Sequence, residues 1–336
     1  MNLMPATPST FSFLNGHLRI DRDEILARCR PAEGDIVVLS GTLVEGIGNK
    51  HSDIDVYVIC DELPPVRHTG DHSFFIEQNG GLRTFVDYIR EDGVAFDVEY
   101  YTRAEVEAMK DDVLALYQLA RRGTKTLRKK LPLSSEDALH KMQVGITVTG
   151  SSEFAQLFPT DFWEKLSFVQ YRNRTGGYPE FKDLMGTWGS GDFDTSLLVC
   201  TMFLMDQAAG LCHLAGSTNA KPKWVMQNLK RLPEPLRPLG QEVIAWYGSA
   251  GSAISDRKAA VLAACELMTK IYKANTALLN ASGDIFYSAE EALRLTQEEF
   301  MREPFHDPQT VLEFEFRRLL FNNGTRSVRE FLAQNV

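Results

Sequence analysis

The sequence predicts an α/β domain followed by an all-α domain, and three observations carry that expectation. Residues 36–101 hold short apolar, β-branched and aromatic runs separated by glycine-rich turns, which is how a sheet is written. From residue 132 onward, apolar residues recur every three or four positions, the period of helices that bury one side. Between these regions Leu131-Pro132 interrupts both patterns, so the boundary is placed there, giving residues 1–131 and 132–336.

The elements follow in order. Residues 21–30 predict a short amphipathic helix with Asp21 as its N-cap. Residues 36–39 and 56–59 are apolar throughout, as central strands are. Residues 72–78, 82–90 and 94–101 read as three further strands, joined by hairpin turns at Asn79-Gly80-Gly81 and Asp92-Gly93. Residues 103–127 contain a helix whose apolar side is Val106, Met109, Val113, Leu116 and Leu119. Ser134-Ser135-Glu136-Asp137 is a capping signal that opens a helix through about residue 148.

Further helices are expected over residues 161–172, 195–215, 223–231, 239–246, 254–281, 289–301 and 311–320. Gly176-Gly177 and residues 186–191 (GTWGSG) read as loops, and Asp194 as the N-cap of the helix after it. That helix, 195–215, is apolar nearly all round and belongs at the centre of a bundle. Asp206 on it needs a partner, either within the fold or in an acceptor.

Composition sets outer limits. The 336 residues, 44% hydrophobic, suffice for two soluble domains. A net charge of −9 argues against a broad nucleic-acid surface. One basic cluster, Arg121-Arg122, Lys125 and Arg128-Lys129-Lys130, runs against that average. It reads as a solvated linker or as a contact for a triphosphate or an anionic acceptor, so tRNA is not excluded. Cys29, Cys60, Cys200, Cys212 and Cys265 are odd in number and widely spaced, which suits buried reduced thiols and a cytoplasmic protein. No signal peptide is legible, and the most apolar stretch, 197–205, is too short to span a bilayer, so no membrane segment is expected.

The chemistry concentrates in residues 37–59, VVLSGTLVEGIGNKHSDIDVYVI. Alternation along a strand points Asp53 and Asp55 to the same side. Two carboxylates close together repel unless a cation lies between them. Mg²⁺ prefers hard oxygen ligands, one or two carboxylates with phosphate oxygens. At Gly41-Thr42 the first residue has no side chain, so backbone N–H groups can approach a phosphate, with the Thr42 hydroxyl as a further donor. In the strand 94–101, Phe96, Val98 and Tyr100 face one way and Asp97 and Glu99 the other. Asp97 is therefore a third metal ligand, and Glu99 either a general base or an exposed strand carboxylate. Asp87 is a weaker competitor for the third position.

The pattern G-T-x₃-G-x₅-S-D-x-D followed by a carboxylate strand resembles the nucleotidyltransferase superfamily that includes DNA polymerase β. It is most similar to the kanamycin and streptomycin nucleotidyltransferases of the small-molecule branch. The resemblance covers about residues 36–101. It implies a mixed-sheet nucleotidyltransferase domain followed by a helical-bundle domain that binds the acceptor, with the site in the cleft between them. It places catalytic, metal-binding aspartates on Asp53, Asp55 and Asp97, and phosphate contacts on Gly41, Thr42 and Ser52. Thr42 replaces the family's serine, and Glu45 stands where many relatives carry a basic or aromatic residue.

A looser similarity, a long apolar helix, Gly216 and then Lys223-Trp224, implies that Lys223 reaches the phosphates or Trp224 lines the acceptor pocket; the alternatives are a solvated lysine and a core tryptophan. The implied reaction is Mg²⁺-dependent transfer of a nucleoside monophosphate, AMP from ATP or from another nucleoside triphosphate, to a hydroxyl of a small molecule. Two alternatives remain open: a macromolecular acceptor (tRNA or protein), and a nucleotide-binding sensor without catalysis.

Overall fold

A short hairpin precedes the main sheet. Strands β1 (Thr10–Phe13) and β2 (Leu18–Asp21) pair antiparallel across Asn15 and Gly16, both at positive φ. Helix α1 (Arg22–Cys29) follows directly. The six-stranded sheet is built from β3 (Ile36–Ser40), β4 (Ile54–Cys60), β5 (Ser73–Gln78), β6 (Gly81–Asp87), β7 (Phe96–Thr102) and β8 (Ile146–Thr149). Their order across the sheet is β5-β6-β7-β4-β3-β8. Only β4 and β7 run parallel; every other pair is antiparallel, so the sheet is mixed. The β5–β6 turn has φ of 53° at Asn79 and 80° at Gly80, the left-handed pair that an Asn-Gly hairpin adopts.

The computed structural model describes residues 8–66, 73–87, 94–250, 256–321 and 326–335. The expected Asp92-Gly93 turn lies outside the described residues. Two units are present, one of residues 1–112 and 137–160 and the other of residues 113–136 and 161–336. The chain therefore passes between them more than once, where a single passage at residue 131 was expected. The reason is pairing: β8 adds an edge to β3, which draws residues 137–160 into the sheet unit.

One sheet face is mainly apolar. Val37, Leu39, Ile54, Val56, Val58, Phe96 and Val98 pack with Ile20, Ile25 and Cys29 in a single buried cluster. Burial on this scale is the main stabilising contribution to such a unit. Asp87 also belongs to this side, where it pairs with Arg28, whose guanidinium lies 5.1 Å from the Phe96 ring centre. It is a structural carboxylate and not a rival to Asp97.

In the sheet unit, α2 (Gly41–Glu45) follows β3 and α3 (Arg103–Arg121) follows β7, while α4 (Leu133–Val144) and α5 (Ser151–Leu157) flank β8. The unit boundaries fall within α3 and α4. On α3, Val106, Val113 and Leu116 are fully buried, but Leu119 is exposed and Ala120 takes its place. Helix α4 ends at Val144 and not near residue 148, because the β-branched run Ile-Thr-Val-Thr continues as β8. Asp21 sits at the start of α1 as expected, yet its carboxylate accepts a hydrogen bond from the Thr10 hydroxyl (2.7 Å) and makes no cap bond.

The second unit is helical: α6 (Thr160–Thr175), α7 (Tyr178–Gly189), α8 (Phe193–Leu214), α9 (Val225–Lys230), α10 (Arg237–Ala250), α11 (Arg257–Ala281), α12 (Ala289–Met301), α13 (Pro308–Leu320) and α14 (Val328–Gln334). Residues 186–189, read as loop because of their glycines, complete α7, whose Tyr178, Phe181, Leu184 and Met185 are buried at helical spacing. Phe181 anchors an aromatic cluster, with ring centres 5.0 Å from Phe316, 5.6 Å from Phe203 and 5.7 Å from Phe331. The cap of α8 is Asp192, which accepts from Thr195 N–H, while Asp194 pairs with Arg257.

Among the described residues, α8 alone is long and apolar enough to cross a membrane by length and composition, and 61% of its most apolar window is buried. Asp206 on α8 is held by Arg174 at 3.1 Å. The buried Arg172 donates to the carbonyls of Gly123 (2.6 Å) and Lys125 (2.7 Å) and to the Tyr287 hydroxyl (2.5 Å). From the basic cluster, Arg121 pairs with Glu291 and Lys125 with Glu303. All five cysteines are buried and unpaired.

Ile25 contributes a side chain with no exposure to the cluster between α1 and the sheet. Ile25→Ala should lower unfolding free energy by about 2–5 kcal/mol in a urea titration; a loss under about 1 kcal/mol would show that α1 is not part of that core.

Candidate functional site

The second sheet face carries the charge. Parallel pairing sets Asp55 on β4 opposite Asp97 on β7, and Tyr57 opposite Glu99. Register partners on neighbouring strands lie roughly 4.8 Å apart along the hydrogen-bonding direction. The row continues through Ser40 on β3, the partner of Asp55. On the other side the two rows run through Val86 and Thr84 on β6 to Phe74 and Ile76 on β5, which are 54% and 47% exposed. Asp53 lies two residues before Asp55, just outside the strand and exposed. Asp55 and Asp97 thus share one end of one face, and Asp53, outside the strand, is near enough for its charge to act on both.

Gly41 opens α2 at φ 81° immediately after Ser40. A Cβ there would overlap the Asp55 carboxylate. The glycine is required by the close approach of the turn to Asp55 itself, a reason the sequence did not supply. The carbonyl of Thr42 accepts from Ile47 N–H (3.0 Å) and Gly48 N–H (2.7 Å), which closes the loop. Ser52 caps the next turn, its hydroxyl accepting from Asn49 N–H at 2.9 Å.

Helix α4 contributes a residue that sequence reasoning missed. Lys141 Nζ lies 3.2 Å from Asp55 Oδ1 and 3.8 Å from both Glu99 Oε1 and Asp137 Oδ2. The ammonium is also 5.0 Å from the Tyr57 ring centre. Its backbone is anchored to the turn twice over: the Ser40 hydroxyl donates to the Lys141 carbonyl, and His140 Nε2 lies 3.3 Å from Glu45 Oε2. The available signal was Asp137 and Lys141 at i,i+4 on one helix face. What hid it was the assignment of residues 132–148 to the helical domain.

Glu99 is held from three directions. Its Oε1 accepts from the Tyr57 hydroxyl at 3.0 Å and its Oε2 from the Tyr101 hydroxyl at 2.8 Å, with Lys141 beside it. Asp97 differs, for its Oδ1 is buried with no hydrogen-bond partner. Burial raises the Asp97 pKa to about 6, with the charges of Glu99 and Asp55 adding to the rise. Burial likewise raises Asp55, against the lowering effect of Lys141. The same burial, with Glu99 and Asp55, pushes the Tyr57 hydroxyl well above its ordinary value. For Lys141, burial pulls its pKa down, but Asp55, Asp137 and Glu99 outweigh it and the net shift is upward.

Four hard-oxygen side chains and one ammonium therefore share this face, and the donor set suits a hard divalent cation. Among the described residues no three His, Cys, Asp or Glu side chains converge as they stand into a group able to hold a metal ion. Lys223, expected as a phosphate contact, lies exposed in the helical unit, its Nζ 5.1 Å from the ring centre of Trp224. Neither a protein-family model nor a curated protein matches this chain.

Because its folded pKa is raised, Asp97 contributes stability that is fully present below about pH 4 and lost as pH rises through about 6. Asp97→Asn removes that charge. It should stabilise the protein at pH 7.5 by about 1–2 kcal/mol, after discounting for partial exposure, and have no effect below about pH 4. Urea titrations at the two pH values test this; an unchanged or lowered stability at pH 7.5 contradicts it.

Proposed function

We propose that this protein is a nucleotidyltransferase that moves a nucleoside monophosphate, AMP from ATP, onto a hydroxyl of a small-molecule acceptor and releases pyrophosphate in a magnesium-dependent reaction. The observation that supports this most is the register of β4 and β7, which faces Asp55 with Asp97 while the Gly41 turn packs on the Asp55 carboxylate. Half-buried paired carboxylates are unfavourable without a cation. The orphaned Asp97 Oδ1 fits that requirement, and Asp53, Asp55 and Asp97 are the residues that would hold the ion. When bound, magnesium supplies neutralisation of phosphate charge and a lowered pKa for the attacking hydroxyl.

The chain's own groups bind and orient. The Gly41-Thr42 turn, whose glycine packs on Asp55, and Ser52, whose hydroxyl accepts from Asn49 N–H, would supply donors to phosphate oxygens. Glu99 is fixed by Tyr57 and Tyr101, each donating to one of its two oxygens. Its present geometry supports a positioning role for Lys141 more directly than a general-base role. Phe74 and Ile76 extend the same rows as an exposed apolar surface suited to a base or to an acceptor ring.

A sensor without catalysis is favoured by one observation, the position of Lys141 among carboxylates that do not converge on a metal. Incubating the protein with each labelled nucleoside triphosphate, Mg²⁺ and a cell extract separates the readings. Pyrophosphate release with a small labelled product supports the proposal, and labelled RNA or protein supports a macromolecular acceptor. Nucleotide binding without turnover supports the sensor. Asp53→Asn and Asp55→Asn should each reduce pyrophosphate release at least about 10³-fold with the fold intact by circular dichroism. Normal turnover in either variant removes the assignment.

A further inference from the structure

Lys141 neutralises the same carboxylate that a divalent cation would need. Its side chain is 15% exposed and its ammonium lies against Asp55, Glu99 and Asp137, while Asp97 Oδ1 stands buried and unpartnered on the same face. The backbone carrying it is pinned by the Ser40 hydroxyl bond to its carbonyl and by the His140–Glu45 contact. The four-carbon side chain beyond that anchor is flexible, so the ammonium can move while the helix stays. Two cations within a few ångströms in a half-buried setting repel strongly, and both cannot neutralise Asp55 together.

We propose that Lys141 is the resident counter-ion of this carboxylate cluster, displaced from Asp55 when a divalent cation binds, and that it thereby sets how weakly the free protein holds metal. This inference rests on the reading of the cluster as a metal-dependent site. It explains why the aspartates do not converge on a metal as they stand: Asp55 is oriented toward the ammonium at 3.2 Å. Asp137, at i−4 on the same helix, offers the displaced ammonium an acceptor outside the β4–β7 pair.

Manganese binding to the full-length chain, read from the electron paramagnetic resonance signal of free Mn²⁺, tests it. Lys141→Met should bind Mn²⁺ about tenfold more tightly than the wild type, or better, whereas Lys141→Arg keeps the charge and should stay within about threefold. Wild-type binding with no tightening in Lys141→Met overturns the counter-ion role and leaves the metal-site reading standing. No Mn²⁺ binding by any of the three proteins overturns both.

Should Lys141→Met fail to fold, acetylation of Lys141 in the wild type, followed by peptide mass spectrometry, replaces it. Labelling should rise about threefold or more on adding saturating Mg²⁺ as the amine leaves Asp55, with Lys165 as an internal reference. Unchanged or slower labelling overturns the proposal.

Discussion

The arrangement of the sheet unit turns on carboxylates that share one face and on the single ammonium set among them. Asp55, Asp97 and Glu99 are brought together by the parallel pairing of β4 with β7, and Asp137 is added by α4. Like charges at this spacing repel, more so where water is partly excluded. The surrounding structure answers that repulsion piece by piece. Lys141 reaches Asp55 and Glu99, two tyrosine hydroxyls donate to Glu99, and the Gly41 turn yields the space the Asp55 carboxylate fills. Asp97 alone keeps a buried oxygen without a partner.

Two buried charges of the helical unit are met on several sides. The Arg172 guanidinium is met by two carbonyls and a tyrosine hydroxyl. Glu299 Oε2 accepts from Thr124 and lies 2.5 Å from Arg317. Such networks hold residues 120–125 against their neighbours. An orphaned, raised carboxylate beside several others is instead the pattern of a site whose charge awaits a ligand. Asp97 lies in register with Asp55 and beside Glu99, and that grouping is the physical ground for treating the sheet face as the candidate site.

Much of this was legible because it is local. Alternation placed Asp97 with Glu99 on one side of β7, and the Asn79-Gly80 turn declared its hairpin. Periodicity found the principal helices of the second unit and the apolar character of α8. Errors came where a local preference was outvoted. Glycines in residues 186–189 suggested a loop, yet burying Phe181, Leu184 and Met185 keeps α7 helical. Residues 146–149 continued a helical run by position, but their β-branched side chains found an edge to pair with at β3.

The amino-acid order by itself determined five strands of the main sheet, the turn glycine, and the side of the strand that Asp97 and Glu99 occupy, because these depend on backbone geometry over a few residues. Tertiary structure alone decided that β4 and β7 lie side by side, that residues 137–160 return to the sheet, and that Lys141 meets Asp55 across a separation of 86 positions. No short-range rule encodes a charge pair of that kind. It exists because β8 adds to the edge of the sheet and α4, tied to Ser40 and Glu45, carries its lysine to the carboxylate face.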